Sequence, residues 1–204
     1  MKPIITSLAL AAAALAPTLA HAGLDNGNPI HPLVGIAITG GGDKLSTVEY
    51  TNGDSKDITA GGLVQFYGGI EYHEKGSPFG FQGTFGYHVD STNARNGNQR
   101  FSRWPLEAIA LYSVAPQFRL GIGARYASSA KFTSDGAGYV GNADFSSRLG
   151  AVFMGEWLIT PSMGLQLRYV NEKYKVDETN LSTGTTRRVT VDGSHGGLGF
   201  NYYF

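Results

Sequence analysis

The segment GLGFNYYF, residues 197–204, decides the fold. Its largest apolar side chains fall at every second position, which places them on one face of an extended strand. These side chains are Leu198, Phe200, Tyr202 and Phe204. The other face carries Gly197, Gly199, Asn201 and Tyr203. The segment therefore predicts a β-strand with one continuous apolar face.

The same period-two alternation recurs along the chain. The clearest example places Phe79, Phe81 and Phe85 on one face, with Gln82 and Thr84 on the other. Alternation over about ten residues is typical of strands that cross a membrane in a β-barrel. The eight predicted strands are 33–42, 60–73, 79–90, 104–115, 118–128, 147–159, 163–172 and 188–204. In the last stretch the apolar parity changes near Gly193, which predicts a bulge or bend.

The connections between these strands alternate in length. Three are short, at 74–78, 115–117 and 160–162, and each has a proline at or beside the turn. Four are long and polar, at 43–59, 91–103, 129–146 and 173–187. This rhythm predicts an all-β domain, residues 23–204, folded as an eight-stranded antiparallel up-and-down transmembrane β-barrel. The short turns are expected at the periplasmic end and the long loops outside.

Residues 1–22 have the pattern of a secretory signal peptide. Lys2 is followed by an apolar stretch, and Ala20-His21-Ala22 is a small-x-small cleavage site. An N-terminal membrane anchor is the alternative. Without Lys2, residues 23–204 carry 15 basic and 16 acidic residues. This balance is unlike the basic excess of a nucleic-acid-binding protein, so no nucleic-acid partner is predicted.

Several charged residues fall on the inward side of the predicted strands. Because isolated charges are costly in a narrow interior, glutamate and arginine are expected to pair there. The predicted interior charge network is Glu71, Glu107, Glu156, Arg119, Arg125, Arg148 and Arg168. We interpret it as a polar plug, because eight strands enclose little more than their own side chains. A gated pore, in which the charge pairs exchange partners, is the alternative.

The strand rhythm, the charged interior and the terminal aromatic strand resemble the small eight-stranded outer-membrane barrels. This family includes the OmpA membrane domain, OmpX and opacity-type surface proteins. The resemblance implies a location in the outer membrane of a Gram-negative bacterium, among outer-membrane lipid and lipopolysaccharide. It also implies an assembly signal that is read by the barrel-assembly machinery. The residues that match this signal are Leu198, Phe200, Tyr202 and Phe204.

The long loops are the predicted binding surface. Arg95, Arg100 and Arg103 fall in the 91–103 loop, which carries no acidic residue. Guanidinium groups suit the phosphates of lipopolysaccharide, so these three are candidate binding residues. Ordinary solvated loop residues are the alternative. An extracellular ligand is also expected, but the sequence does not name one.

Catalysis is the least favoured hypothesis. Some barrels of this size modify lipids with a histidine, a serine and an acidic residue near the outer leaflet. His88 and Ser194-His195 are the nearest candidates, but strands three and eight are not neighbours, so the two are not expected to combine. No catalytic residue, metal site or cofactor is predicted.

The predicted function is therefore structural or surface-interacting. The two alternatives are a narrow pore or small-hydrophobe conduit, and a lipid-modifying enzyme.

Overall fold

A computed structural model describes Leu24 and residues 27–50, 52–94, 97–136, 141–180 and 185–204. The predicted signal peptide and Arg95 lie outside these described residues. Within them, thirteen β-strands form one large sheet and one small hairpin.

Eight of the strands build a closed barrel. These are β1 (Ile30–Gly41), β4 (Leu63–His73), β5 (Phe79–Ala94), β6 (Gly97–Ala115), β7 (Phe118–Gly136), β9 (Gly150–Thr160), β10 (Met163–Asn171) and β13 (His195–Tyr203). The other five are β2 (Lys44–Glu49), β3 (Ser55–Thr59), β8 (Ala143–Ser147), β11 (Lys173–Asn180) and β12 (Thr185–Asp192). Neighbouring barrel strands are antiparallel, and β1 pairs with both β4 and β13. Ile36, for example, lies opposite Phe66 on one side and Phe200 on the other. The predicted eight-stranded antiparallel barrel is thus confirmed.

The long connections differ from the prediction. Residues 91–94 and 97–103 belong to β5 and β6, so the predicted 91–103 loop is wrong. Much of the predicted 129–146 loop is also strand, because β7 continues to Gly136 and β8 follows at Ala143. The first and fourth long connections fold into the hairpins β2–β3 and β11–β12. Strands thus extend well beyond the apolar band at this end, which we call the hairpin end. The opposite end, with its three short connections, is the short-turn end.

The outward face of the barrel is a broad apolar surface. Leu106 is 58% exposed and Leu198 is 59% exposed, although both occupy the middle of strands. Aromatic residues lie at both edges of this surface, with Phe79 and Tyr112 in contact at the short-turn end and Trp104 and Tyr126 at the other. Exposed apolar side chains in such a band are suited to lipid rather than water. Among the described residues, no helix is long and apolar enough to cross a membrane.

The hairpin end has a hydrophobic core of its own. Ile58 on β3, Phe101 on β6 and Tyr174 on β11 are fully buried together, and the β2–β3 hairpin packs over the barrel mouth. The backbone N–H of Thr59 donates to Asp90 at 2.9 Å, which ties β3 to β5. The mouth is therefore covered by folded chain.

Two irregularities mark the boundary between the barrel and the hairpin end. In β7 the buried set shifts from Ala127 to Ala130, across a register shift at Ser128 and Ser129. The strand is interrupted between β12 and β13 at Gly193, which lies against the Tyr174 ring. The predicted change of parity near Gly193 therefore corresponds to a strand break, since β12 pairs with β11 and β13 pairs with β10 and β1.

The narrow interior makes a glycine at position 35 necessary. A Cβ added to Gly35 would overlap the ring of Tyr67 and the side chain of Asn201. Gly83 on the outward face is different, because a Cβ added there would meet nothing within 4 Å.

We predict that Gly35→Ala destabilises the barrel by about 1–3 kcal/mol, the usual range for overpacking a core. The measurement is the urea midpoint of the folded band in unboiled SDS gels. The matched variant Gly83→Ala should lie within about 0.5 kcal/mol of wild type. Equal midpoints for the two variants would contradict the assigned interior packing.

Candidate functional site

The interior near the short-turn end contains one arginine shared by two carboxylates. Arg119 donates from Nε to Oε2 of Glu156 at 2.7 Å, and its Nη1 and Nη2 both contact the Glu71 carboxylate. Nη2 also donates to the hydroxyl of Tyr203 at 2.7 Å. Asn201 donates to Glu156 at 3.0 Å. We call these five residues the lower cluster. All of them are buried, so the group closes this half of the interior.

The interior near the hairpin end holds a second group with three arginines. Arg125 donates to Glu107 at 2.5 Å and to Glu172 at 2.8 Å. Arg168 donates from Nη2 to both Glu107 oxygens, at 2.7 and 2.8 Å. Arg103 Nε lies 3.8 Å from Glu172 Oε1 and completes the group. We call these five residues the upper cluster.

His88 links the upper cluster to the covered mouth. Its Nδ1 lies 3.0 Å from Arg125 Nη2, and its Nε2 lies 3.1 Å from Arg103 Nη2 and 2.8 Å from the Thr39 hydroxyl. A neutral imidazole has one acceptor nitrogen, so it can accept from only one of the two guanidinium groups. The ring of His195 lies 5.1 Å from that of His88. The reason given for expecting the two histidine sites not to combine is therefore wrong, since strands that are not neighbours still meet across a narrow interior.

Arginines and glutamates are equal in number over the two clusters together, although the lower cluster has one arginine for two glutamates and the upper has three arginines for two. The described residues include four buried arginines and four buried glutamates, and each of these charges lies in one of the two clusters. Removing one member of such a buried group leaves a charge without its partner, which is far more costly than the pair itself. Cross-barrel ion pairs therefore brace the strands against one another and fill the space between them.

The structure changes the membership of the predicted charge network. Glu71, Glu107, Glu156, Arg119, Arg125 and Arg168 lie inside the barrel. Arg148 does not: it is exposed, because it lies between β8 and β9, where strand parity no longer applies.

Two interior residues were missed by the sequence reasoning. Arg103 shares the parity of Glu107 but fell just before the predicted start of its strand at 104. Glu172 shares the parity of Arg168 at the end of its predicted strand. Extending the fourth strand by one residue, to 103, and following the parity of Arg168 to the last residue of its predicted strand would have found them.

The predicted loop arginines are separated by the structure. Arg100 is exposed on the outward face of β6, whereas Arg103 is buried in the upper cluster and cannot serve as a loop contact. The residues of the predicted assembly signal lie on the closing strand or directly after it. Leu198 and Phe200 are exposed on the outer face, and Tyr202 and Phe204 are partly buried.

The two candidate catalytic histidines are not accessible to solvent. His195 is buried and its Nδ1 lies 2.8 Å from the carbonyl oxygen of Gly193, while His88 is enclosed by arginines. Within the described ranges, no group of three or more histidine, aspartate or glutamate side chains is arranged to hold a metal ion.

At the exposed hairpin β11–β12, the hydrogen bond from Arg188 lowers the pKa of Asp177.

A closed antiparallel barrel of eight strands, apolar outside and charged inside, has the architecture of the small outer-membrane β-barrels. The attachment invasion locus protein Ail of Yersinia pestis has a similar structure, with a TM-score of 0.50 at 15% identity. That match covers 86% of this chain and 97% of Ail. Neisserial surface protein A matches with a TM-score of 0.48 at 13% identity, over 87% of this chain and 98% of that protein.

A second structure of Ail, in complex with the heparin analogue sucrose octasulfate, matches with a TM-score of 0.46 at 16% identity. It covers 86% of this chain and 97% of that one. No protein-family model and no curated protein sequence matches this chain. The likeness to Ail at a TM-score of 0.50 therefore supports the fold and nothing finer.

We predict that Arg119→Met destabilises the barrel by about 3–5 kcal/mol, because Glu71 and Glu156 lose their shared cation. The measurement is again the urea midpoint of the folded band. Arg148→Met is the matched control, and since Arg148 is exposed it should change stability by no more than about 0.5 kcal/mol. A similar loss of stability in both variants would contradict the ion pairs assigned to the lower cluster.

Proposed function

We propose that this protein is an integral outer-membrane protein with a closed interior and a surface-interacting role at its hairpin end. The observation that carries the proposal is the combination of a lipid-suited outer face with an interior crossed by ion pairs. A protein that exposes Leu106 and Leu198 in mid-strand has to be embedded in lipid. Its interior carries no solvent-facing site at either cluster, so the surface beyond the membrane is the part available for interaction.

The proposal includes delivery and orientation. Residues 1–22 would direct secretion and be removed, and residues 23–204 would form the barrel domain. Leu198, Phe200, Tyr202 and Phe204 would serve as the signal for the barrel-assembly machinery. The short-turn end would face the periplasm and the hairpin end the exterior, as is usual for barrels with one set of short turns.

A pore is less well supported by the side chains. A through-path would require Arg119 to release Glu71 or Glu156 in one half, and Arg125 or Arg168 to release Glu107 in the other. A conduit for small hydrophobes would require a continuous apolar route. The interior does hold buried apolar groups, such as Ile109, Leu111 and Val152, but the buried charges of the two clusters lie among them. A lipid-modifying enzyme would require a histidine facing the outer leaflet, whereas His88 and His195 are enclosed.

Lipopolysaccharide is the proposed lipid partner of the outer rim. Arg100, Arg148 and Lys173 are exposed close to the point where the barrel meets the hairpin end. The backbone N–H of Arg148 donates to the carbonyl of Lys173 at 3.0 Å, which brings these two positions together. Basic side chains at this level are placed to meet lipid phosphates.

We predict that the purified protein gives no single-channel steps in planar lipid bilayers, because both clusters obstruct the interior. Heat-modifiable migration on SDS gels would verify that the sample is folded. Regular conductance steps in wild type that change in Arg168→Ala would favour the pore instead.

We also predict that Arg148→Ala with Lys173→Ala lowers the affinity for lipopolysaccharide about fivefold, from about 0.5 kcal/mol for each exposed charge. The measurement is the rise in unfolding temperature when lipopolysaccharide is added to nanodiscs. Lys75→Ala removes one positive charge from the exposed turn at the opposite end; it is the control for a charge lost away from the rim and should leave the affinity unchanged. An equal loss of lipopolysaccharide affinity in the double variant and in Lys75→Ala would contradict the proposed binding site at the outer rim.

A further inference from the structure

The sheet at the hairpin end has an open edge. β12 pairs with β11 from Thr185 to Asp192, and it is the last strand on that side of the large sheet. β2 pairs only with β3. Since β2 continues from β1 and β12 leads into β13, a regular barrel would join β2 to β12. Within the described residues, these two strands are not hydrogen-bonded to each other.

The seam between the two strands begins at a defined point. The β1–β13 ladder ends at Gly41 and His195. Beyond it, the N–H of Asp43 donates to the carbonyl of Asp192 at 2.7 Å, and the N–H of Asp192 donates to the Asp43 carboxylate at 2.8 Å. We call these two hydrogen bonds the Asp43–Asp192 latch. Beyond it, among the described residues, β12 pairs with β11 and β2 pairs with β3.

The latch also fixes which backbone groups of β12 face the seam. Both the N–H and the carbonyl of Asp192 point toward Asp43. The N–H of Gly193, the next residue, points the other way, to the carbonyl of Glu172 at 2.9 Å. Backbone groups alternate in direction along a strand, so those of Thr190 and Arg188 face the seam. These are the groups that an added strand would use.

The side chains of this edge favour pairing. β12 is rich in β-branched residues and contains no proline, and Val189 and Val191 are only partly buried. Val191 packs on the hydrophobic core of the hairpin end, and so does Leu45 from β2. An added strand would therefore cover apolar surface on one face as well as complete the ladder. Exposed edges are templates for another chain, and β12 has no proline to prevent pairing, while its two exposed arginines disfavour a strand of like charge.

The exposed charges in the middle of β12 indicate what such a strand should carry. Arg187 and Arg188 are both exposed and, as consecutive residues, point to opposite faces of the sheet. Arg188 already binds Asp177 on β11 at 2.7 Å, which shows that a carboxylate on a neighbouring strand reaches it. An acidic residue on an added strand would lie on the other side of the same guanidinium.

We propose that the edge of β12 at Arg188 and Thr190 is a docking site for an extended acidic peptide segment of a partner protein, which adds to the sheet as a further strand. Main-chain hydrogen bonds to Arg188 and Thr190 hold the segment, and its carboxylates lie beside the two arginines. The inference rests on the proposed surface-interacting role and adds the class of partner to it. Its test measures the binding of a peptide, so its outcome is independent of the conductance measurement that tests the closed interior.

The test uses the protein purified from outer membranes and placed in nanodiscs of neutral lipid. The probe is a fluorescent ten-residue peptide in which glutamate alternates with valine and threonine. A second peptide carries N-methyl groups on alternate amides and so cannot form a continuous ladder. Binding is followed by fluorescence anisotropy. We expect the first peptide to bind, with an affinity that falls as salt is raised, and the second to bind at least tenfold more weakly.

The decisive variants change one backbone group. Thr190→Pro removes the N–H that faces the seam and spares the ladder to β11, because that ladder uses the neighbouring residues. Thr190→Val keeps the N–H and is the matched control. We expect Thr190→Pro to reduce peptide affinity at least tenfold, while Thr190→Val binds like wild type and both migrate as folded barrels on SDS gels.

Several results would overturn the docking site. One is equal binding of the two peptides or of the two variants, and another is an absence of binding to wild type. A third is concentration-dependent dimerisation of wild type that is abolished by Thr190→Pro, which would assign the edge to a second copy of this chain. None of these results would bear on the closed interior, which the bilayer recordings test.

Discussion

An eight-stranded barrel encloses so little space that every inward side chain has to be packed against, or paired with, another inward side chain on a neighbouring strand or across the interior. This constraint explains why Gly35 leaves room for the ring of Tyr67 on the neighbouring strand. It also explains why Arg119 pairs both with Glu156 on the neighbouring strand and with Glu71 across the interior. The same narrowness brings His88 and His195 within ring contact although their strands are not adjacent. In a wider barrel these groups would be hydrated separately, and the two charge clusters would not be needed to hold the walls together.

The constraint also determines what could be predicted from the sequence. Period-two alternation identifies the strands because lipid is on one side and a packed interior is on the other, so the two faces differ in chemistry. Parity then assigns Glu107 and Arg168 to the interior without any structure. Partners are different: parity states that a side chain points inward, but not which residue it meets. The contact between Arg125 and Glu172 depends on strand tilt and register, which alternation does not encode.

The wrong predictions concern segments in which the two faces of a strand have similar chemistry. Above the lipid band both sides of a strand can be polar. Residues 91–94 and 97–103 therefore had the composition of a loop although they belong to β5 and β6. Arg148 was misplaced for a related reason, since it follows the end of β8 and no longer obeys the alternation of the strand. The sequence did mark the break at Gly193, because apolar parity changes there, but it could not distinguish a bulge from the end of a strand.

The break at Gly193 also separates two ways in which the backbone hydrogen-bonding groups of a strand are satisfied. Below it, β13 pairs on both sides, and closure leaves no edge exposed to lipid, where an unpaired backbone group would be very costly. Above it, water can satisfy the backbone, so β12 can leave one side open at little cost. The Asp43–Asp192 latch lies at the change from one regime to the other. An open edge is thus tolerated only beyond the membrane, which is also the only place where a partner strand could reach it.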